Sequence, residues 1–300
     1  MATSLVLPLA TQGWGRPTGD PLPHPRDCAL ILDLSSGSVH KAWHEEQVSR
    51  IHTRPGSILK LVTAATALQA GVTNRQRRIS CPGWMPHPFH PSKRLICWQS
   101  DGHGALTLSE ALAHSCNLHF YQLGLELGVR RLLAGLRQFD LDIPLVAPER
   151  VLGLAVGDDP AIQVGPLPLL RLVTHIALQG QPLSTPWGLW PEIAFAPTTW
   201  SQLHLGMQLA TQQGTCAGIA TPDLGVAAKT GTILRESGLQ QSETPLLAED
   251  FQAWLMAFWP VAAPRWVLAL YLQQGKAYEA AIPLARQIIT QVEKYPAVES

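Results

Sequence analysis

Ser57 and Lys60 stand three residues apart at the mouth of an apolar segment, HTRPGSILKLVTAATALQAG, residues 52–71. Residues three apart on a helix share a face, so this spacing brings a hydroxyl and an amine together. A serine hydroxyl is a weak nucleophile until a base takes its proton. A lysine becomes such a base only when burial or a second cation drives its pKa down. The segment predicts that burial. From Ser57 to Ala70 most residues are strong helix formers, and Gly71 is the residue type expected just past a helix end. The apolar residues Ile58, Leu59, Leu61, Val62, Ala64, Ala65, Ala67 and Leu68 fall on every face, as in a helix threading the middle of a domain. Alone, the same residues also fit a serine that caps the helix and a lysine that snorkels to a surface.

Two further polar sets follow in order. HSCNLHF carries Ser115 and Asn117 at a break between two helical segments, where side chains can turn into a cleft. VAAKTGT carries Lys229, Thr230, Gly231 and Thr232 on or at the end of a strand, with the glycine permitting close approach of another backbone. Each set alone fits turn and cap chemistry. The ordered combination SxxK, SxN, KTG is what penicillin-binding proteins and serine β-lactamases use.

The elements that must position these residues can be read in outline. Residues 1–26 hold abundant Pro, Gly and Thr and predict an extended lead-in. CALILDL and VHKAWHEE flank SSGS and predict a β-hairpin, after which comes the Ser57 helix. Residues 72–106 predict an irregular stretch, long enough to suggest function. TLSEALAHS opens with a capping box, Thr107 and Glu110, and predicts a helix stopping near Ser115. LHFYQLGLELG, VRRLLAGLRQF, LPLLRLVTHIALQG and TWSQLHLGMQLATQQG predict four more helices. GVAAKTGTIL, FQAWLMAFWP and RWVLALYLQ predict strands, and YEAAIPLARQIITQVEKY a final helix. Two strands at the start and three at the end form one antiparallel sheet only if the helical middle is an insertion. The fold class expected is therefore α+β: a five-stranded antiparallel sheet flanked by helices, an α/β sandwich, with an inserted all-helical subdomain. Its sheet part would come from residues 27–56 and 222–300 and its helical part from 57–221.

Composition sets bounds. Three hundred residues with 46% hydrophobic and 15% charged content can bury a large core. Lys plus Arg equal Asp plus Glu at 22 each, and the longest basic run is RQRR at 75–78, which argues against a nucleic-acid partner. No apolar run approaches the ~18 residues of a membrane helix. MATSLVLPLATQGWGRP lacks a basic residue before its apolar stretch and makes a poor signal peptide. Five cysteines are too few for a disulfide framework.

The chain resembles the transpeptidase domain of penicillin-binding proteins, and within them the monofunctional class B kind, over residues 27–295. The likeness runs through RPGSILKLVTAATAL, ICWQSDGHGALTLSEALAHSCNLHFYQLGLELG, GMQLATQQGTCAGIA and AWLMAFWPVAAPRWVLALYLQQG. One departure is Gly165 and Pro166, where a Thr-Pro is usual, which touches only a peripheral substrate contact. No pedestal, membrane anchor or glycosyltransferase segment precedes the resemblance, so a stand-alone transpeptidase domain is expected, in residues 27–300.

The resemblance implies roles. Ser57 would attack the carbonyl of the penultimate D-alanine of a peptidoglycan stem peptide, forming an acyl-enzyme. Lys60 would be the base, kept neutral by the charge of Lys229, and Ser115 would relay the proton to the leaving amine. Asn117 would hold Lys60 and the substrate amide. Thr230, Gly231 and Thr232, with Lys229, would receive the substrate carboxylate, and the backbone N–H groups of Ser57 and Thr232 would form the oxyanion hole. No metal or cofactor is expected. The partners implied are stem peptides, β-lactams and other cell-wall synthesis proteins, in a periplasmic or extracytoplasmic setting with association to the inner membrane.

Three alternatives stay open at this level: a DD-carboxypeptidase, a serine β-lactamase, and a non-catalytic β-lactam sensor. A lactamase needs a deacylating base, and PERVLG offers Glu149, although Gly153 stands where an Asn would be expected. Cys81 and Cys97 bracket His87 and His90, but their spacing fits no common zinc finger. A Cys81–Cys97 disulfide is the preferred expectation for an exported domain. Cys116, the variable middle of SxN, is assigned no chemistry.

Overall fold

The computed structural model describes residues 20–220, 224–235 and 246–294. Most of the predicted lead-in, residues 1–19, lies outside them. The first hairpin is β1 (Cys28–Asp33) and β2 (Ser38–Trp43). A 3-10 turn, Gly56–Leu59, runs directly into α1 (Lys60–Gln69). The stretch expected to be irregular contains four strands of three residues: β3 (Ile79–Cys81), β4 (Trp84–Pro86), β5 (Arg94–Ile96) and β6 (Gly104–Leu106). They pair as β3 with β6 and β4 with β5, an arrangement too short to leave a period-2 signature in sequence.

Next come α2 (Leu108–Ala113), α3 (Asn117–Gln138), α4 (Val151–Val156) and α5 (Pro166–Ala177). The Thr107–Glu110 capping box is present at the start of α2. The two helices expected over 118–139 are the two arms of α3, bent at Gly128, whose φ of 70° and ψ of 164° are not helical. A small hairpin, β7 (Leu183–Thr185) and β8 (Gly188–Trp190), precedes α6 (Pro197–Gln213). The last elements are β9 (Ala227–Leu234), β10 (Phe251–Trp259), β11 (Trp266–Leu272) and α7 (Ile282–Lys294).

The large sheet has the order β2-β1-β11-β10-β9, antiparallel at every pairing. It is the five-stranded sheet that the ends of the sequence predict. Strand side chains alternate between its two faces. Cys28, Leu30, Leu32, Trp254, Met256, Phe258, Val267 and Ala269 pack into the core shared with α1, α3 and α5. Ala29, Ile31, Leu255, Ala257, Leu268 and Leu270 face the opposite way, onto Ile282, Ala285, Ile288 and Ile289 of α7. Both faces are buried, which is why these strands read as nearly continuous apolar runs.

α1 behaves as its sequence requires. Every residue from Lys60 to Ala67 is buried, so this helix is enclosed on all sides. β9 is an edge of the large sheet, and its free side lies along the 3-10 turn that carries Ser57. The catalytic candidates therefore sit where the edge of the sheet meets the head of the central helix.

Candidate active site

Ser57 lies in the 3-10 turn and Lys60 opens α1, which keeps them one turn apart. Neither bland role is realised. No side chain caps the turn or the helix, and Lys60 is fully buried rather than snorkelling. The turn is fastened from both ends. Gly56 N–H donates to Gly157 O at 3.0 Å. Arg54 donates to Leu234 O at the end of β9 (2.5 Å) and pairs with Asp158 (2.6 Å). The approach to Ser57 is thereby tied to the sheet edge.

Ser115 ends the loop after α2 with φ +51°, a left-handed conformation that for a non-glycine residue costs roughly 1–2 kcal/mol. That backbone turns both the carbonyl and the side chain of Ser115 toward Lys60. Lys60 Nζ donates to Ser115 O (2.7 Å), Ser115 Oγ (3.2 Å) and Asn117 Oδ1 (2.6 Å). Phe120, one turn further along α3, presents its ring 5.7 Å from the same nitrogen. Among the described hydrogen bonds, none joins Ser57 Oγ to Lys60 Nζ. Catalytic hydrogen bonds commonly tighten only when substrate is bound, so this geometry leaves the pair available to each other.

Lys229 enters from β9, also fully buried, donating to Ser115 Oγ (3.0 Å) and Thr230 O (2.9 Å). Two buried lysines thus converge on one serine hydroxyl. Desolvation is the first cause that pushes the Lys60 pKa well below the usual lysine value, and the charge of Lys229 is the second. Lys229 itself is brought down to about 8, again by burial. Around neutrality this arrangement favours one neutral and one charged amine.

Gly231 explains how a strand comes so close to the nucleophile. A Cβ there would sit 2.6 Å from Pro55 O, 3.2 Å from Ile58 Cγ1 and 3.5 Å from Ser57 N. Only a residue without a side chain lets the β9 backbone lie against the Ser57 amide. Thr230 Oγ1 donates to Thr215 Oγ1 at 3.2 Å, and Thr232 Oγ1 accepts from Ala277 N–H at 3.3 Å.

These groups open onto a cleft of about 750 Å³. Ser57, Ser115, Asn117, Thr230 and Thr232 line it, so the structure brings the SxxK, SxN and KTG residues around one space. Sequence reasoning left out Trp98, Thr215, Lys276 and Tyr278, which also line it. Trp98 and Tyr278 are 57% and 70% exposed, and exposed aromatics at a cleft mouth carry no periodic signal in sequence. Thr215 was visible only as part of the Gly-Thr segment before KTG. Among the described residues, no Asp or Glu lines this cleft. Glu149 lies in a 3-10 turn, Pro148–Arg150, exposed and outside the cleft.

All five cysteines are free thiols, including Cys81 and Cys97, which the sequence reading expected to pair. Those two do approach each other, but with His103 and Cys116 rather than with His87 and His90.

A family model described as Penicillin binding protein transpeptidase domain matches residues 46–291. Among curated proteins, peptidoglycan D,D-transpeptidase PbpA of Mycolicibacterium smegmatis is 29% identical over 256 residues, covering 74% of this chain and 50% of that protein. Peptidoglycan D,D-transpeptidase MrdA of Acinetobacter baumannii is 26% identical over 279 residues, covering 78% of this chain and 41% of that protein. The chain spans about half the length of the curated relatives it matches. Among solved structures, Pseudomonas aeruginosa PBP2 in complex with WCK 5153 superposes with a TM-score of 0.71 at 19% identity, covering 88% of this chain and 70% of that one. The penicillin G acyl-enzyme complex of penicillin-binding protein A from M. tuberculosis gives 0.67 at 20% identity, covering 88% and 74%. At these identities the structures establish the fold, the α+β architecture expected from the sequence.

Proposed function

We propose that this chain, which belongs to the penicillin-binding protein transpeptidase domain family, is a serine D,D-transpeptidase of the monofunctional class B kind, acting on D-Ala-D-Ala stem peptides of peptidoglycan through an acyl-enzyme. Residues 27–300 are taken as the catalytic unit and 1–26 as its lead-in. The observation that carries the reading is the pair of fully buried lysines meeting at Ser115 Oγ beside a serine held at a helix head.

In this reading neutral Lys60 takes the Ser57 hydroxyl proton as Oγ bonds to the penultimate D-alanine carbonyl carbon. The oxyanion is received by the backbone N–H groups of Ser57 and Thr232, contacts of a type worth about 3 kcal/mol each. The amide C–N bond breaks as Ser115 Oγ hands its proton to the departing D-alanine nitrogen and takes one from the lysine side. Lys229, Thr230 and Thr232 hold the terminal carboxylate, Gly231 keeps the strand close, and Asn117 orients both Lys60 and the substrate amide. An amine from a second stem peptide then attacks the ester by the reverse proton path. None of these steps calls for a metal ion or cofactor.

Among the described residues the cleft holds no Asp or Glu, which favours a long-lived ester with penicillin over a lactamase. A fluorescent penicillin followed over time tests this: the expected outcome is one stable label per chain, lost in Ser57→Ala. Release of the label within seconds would replace the reading by a β-lactamase. Whether the second nucleophile is an amine or water separates transpeptidase from DD-carboxypeptidase, and product analysis with isolated stem peptides and an amine acceptor decides it. The setting proposed is extracytoplasmic, beside the inner membrane. Relatives by structure include a Helicobacter pylori PBP2 complexed with MreC, and cell-wall synthesis proteins are proposed as partners here too. Among the described residues, no helix is long and apolar enough to cross a membrane.

A further inference from the structure

The hairpin of β4 and β5 presents an uncovered face beside the cleft. Side chains alternate along both strands. Met85 and Leu95 pack against the core, while Trp84, Pro86, Arg94 and Ile96 are exposed. The register sets Trp84 opposite Ile96 and Pro86 opposite Arg94, so these four share one face. Trp84 is 43% exposed and Ile96 65%. Single exposed apolar side chains are ordinary, whereas a contiguous set marks an interaction surface.

This face runs into the cleft. Cys97 N–H donates to Gly83 O at 2.8 Å, which carries the ladder one step past β5. Trp98, two residues beyond Ile96, is 57% exposed and lines the cleft. Its indole is held in place: Nε1 donates to His114 O at 3.0 Å, and the ring lies edge-on to His103 with centroids 5.1 Å apart. Strand residues advance about 3.4 Å each, and directly opposed side chains stand about 5 Å apart. Trp84 is therefore within about 12 Å of the cleft wall. Three or four extended residues of peptide span ~10–14 Å. A stem peptide entering the cleft is thus long enough to bring its sugar end onto this face.

The chemistry of the face selects among occupants. A pyranose ring has a side made of C–H groups, slightly positive, which packs flat on the negative face of an aromatic ring. Its hydroxyl and acetamido oxygens then need donors around the stack. Arg94 supplies them: its guanidinium lies 4.1 Å over the Trp84 ring, and a stacked guanidinium keeps its N–H groups in plane for hydrogen bonding. From Ile79 to Ser100 the sequence has Lys93, Arg94, His87 and His90 and no Asp or Glu. Stem peptides carry free carboxylates, that of the terminal D-alanine among them, so this segment is complementary in charge to the strand that bears them. A membrane surface also accepts aromatic residues beside cations. A lipid surface seated here, however, would cover Trp98 and close the mouth of the cleft.

We propose that Trp84, Arg94 and Ile96, continued by Trp98, form a platform for the glycan strand of peptidoglycan, on which a sugar stacks while its stem peptide enters the cleft. This rests on the reading of the cleft as a stem-peptide site. Met85 and Leu95, packed inward, hold the platform fixed relative to that cleft. Its contribution is to substrate binding and not to proton transfer at Ser57. A penicillin, which carries no glycan, reaches Ser57 without it, whereas a stem peptide attached to its strand gains contacts that the free stem lacks.

The test is calorimetric binding of glycan strands stripped of their stems by an amidase, which needs no enzymatic activity. The full chain is expected to bind them, with Kd raised at least about tenfold in Trp84→Ala and in Ile96→Ser and at least about threefold in Arg94→Gln. Trp84→Phe, which keeps an aromatic plane, should stay within about threefold of the unaltered chain. Fluorescent penicillin should acylate all four variants within about twofold of the normal rate, which shows that each is folded. Ser57→Ala should bind the stripped strands normally while losing the label, so glycan binding without acylation would overturn the acyl-enzyme reading and leave the platform. Normal acylation with no glycan binding, or glycan binding that Trp84→Ala and Ile96→Ser leave unchanged, would overturn the platform. Binding to vesicles of phosphatidylglycerol that those two variants abolish, with none to the stripped strands, would replace it by a membrane contact.

Discussion

Lys229→Met removes a charge while leaving an unbranched apolar side chain to fill the same buried space. Lys60 and Lys229 both reach Ser115 Oγ, at 3.2 and 3.0 Å, so their nitrogens stand no farther apart than the sum of those lengths, 6.2 Å. Two unit charges at that distance repel by about 2.7 kcal/mol at an effective dielectric of about 20, a factor of about 100 in the balance between charged and neutral Lys60. The sign is fixed by the chemistry. Without the neighbouring charge, Lys60 holds its proton to higher pH, so less of it is in the base form under acidic conditions. Lys229, brought down to about 8 by burial, loses its own charge above that pH, and the repulsion is then absent from the unaltered protein too.

The expected outcome follows from that difference. The acylation rate of Lys229→Met relative to the unaltered chain should fall up to about 100-fold further at about pH 6 than at about pH 9. The loss that persists at the alkaline end measures the missing hydrogen bond to Ser115 and the missing carboxylate contact. Second-order rate constants for a fluorescent penicillin across that range supply the ratio. A ratio that does not change with pH would refute the claim that Lys229 acts on Lys60 through its charge.

Ser57→Ala should abolish labelling, and peptide mass spectrometry of the penicillin-treated chain should find the adduct on the Ser57 peptide alone; an adduct elsewhere would sink the assignment. Lys60→Arg should slow acylation by at least about 100-fold, because a guanidinium keeps its proton at every working pH; labelling within tenfold of normal would make Lys60 structural. Gly231→Ala places a Cβ 2.6 Å from Pro55 O and should lower stability by roughly 1–3 kcal/mol in a denaturant titration, with slower acylation; unchanged values for both would mean that the strand is not held against the Ser57 turn. Glu149→Gln should leave the half-life of the penicillin adduct within about threefold, under ~0.7 kcal/mol in the barrier, since Glu149 is exposed and outside the cleft; a many-fold longer adduct would make it a deacylating base.

What could be read from the sequence depended on whether the information is local. The burial of Lys60 followed from apolar residues on every face of one helix, and the sheet from apolar runs at the two ends of the chain. The motif residues converge as their order implied, because each motif lies at the end of an element whose type was readable. The cysteine cluster was not readable, since sequence spacing suggested His87 and His90 while the partners are His103 and Cys116. That choice depends on the pairing of three-residue strands, β3 with β6 and β4 with β5, which carry no periodic pattern of their own. Trp98 and Tyr278 escaped for a related reason: a residue exposed at a cleft mouth is chosen by what it faces, and that is a tertiary property.

The composition of the lysine environment carries the chemistry further than the motifs do. A buried ammonium is ordinarily retained in a fold by a carboxylate, which holds the charge in place. Among the described residues, no carboxylate pairs with either Lys60 or Lys229. The acceptors of Lys60 are a carbonyl, a hydroxyl and an amide oxygen, and those of Lys229 are a hydroxyl and a carbonyl. Such neutral acceptors orient an amine without pinning its proton, so burial is left free to lower both pKa values, and the charge of Lys229 to lower that of Lys60 further. An aspartate in place of Asn117 would pair with Lys60 and restore the ordinary lysine pKa, leaving the geometry intact and the base protonated. Polarity without charge around the two amines is therefore the feature that turns a buried lysine from a structural liability into a proton acceptor for Ser57.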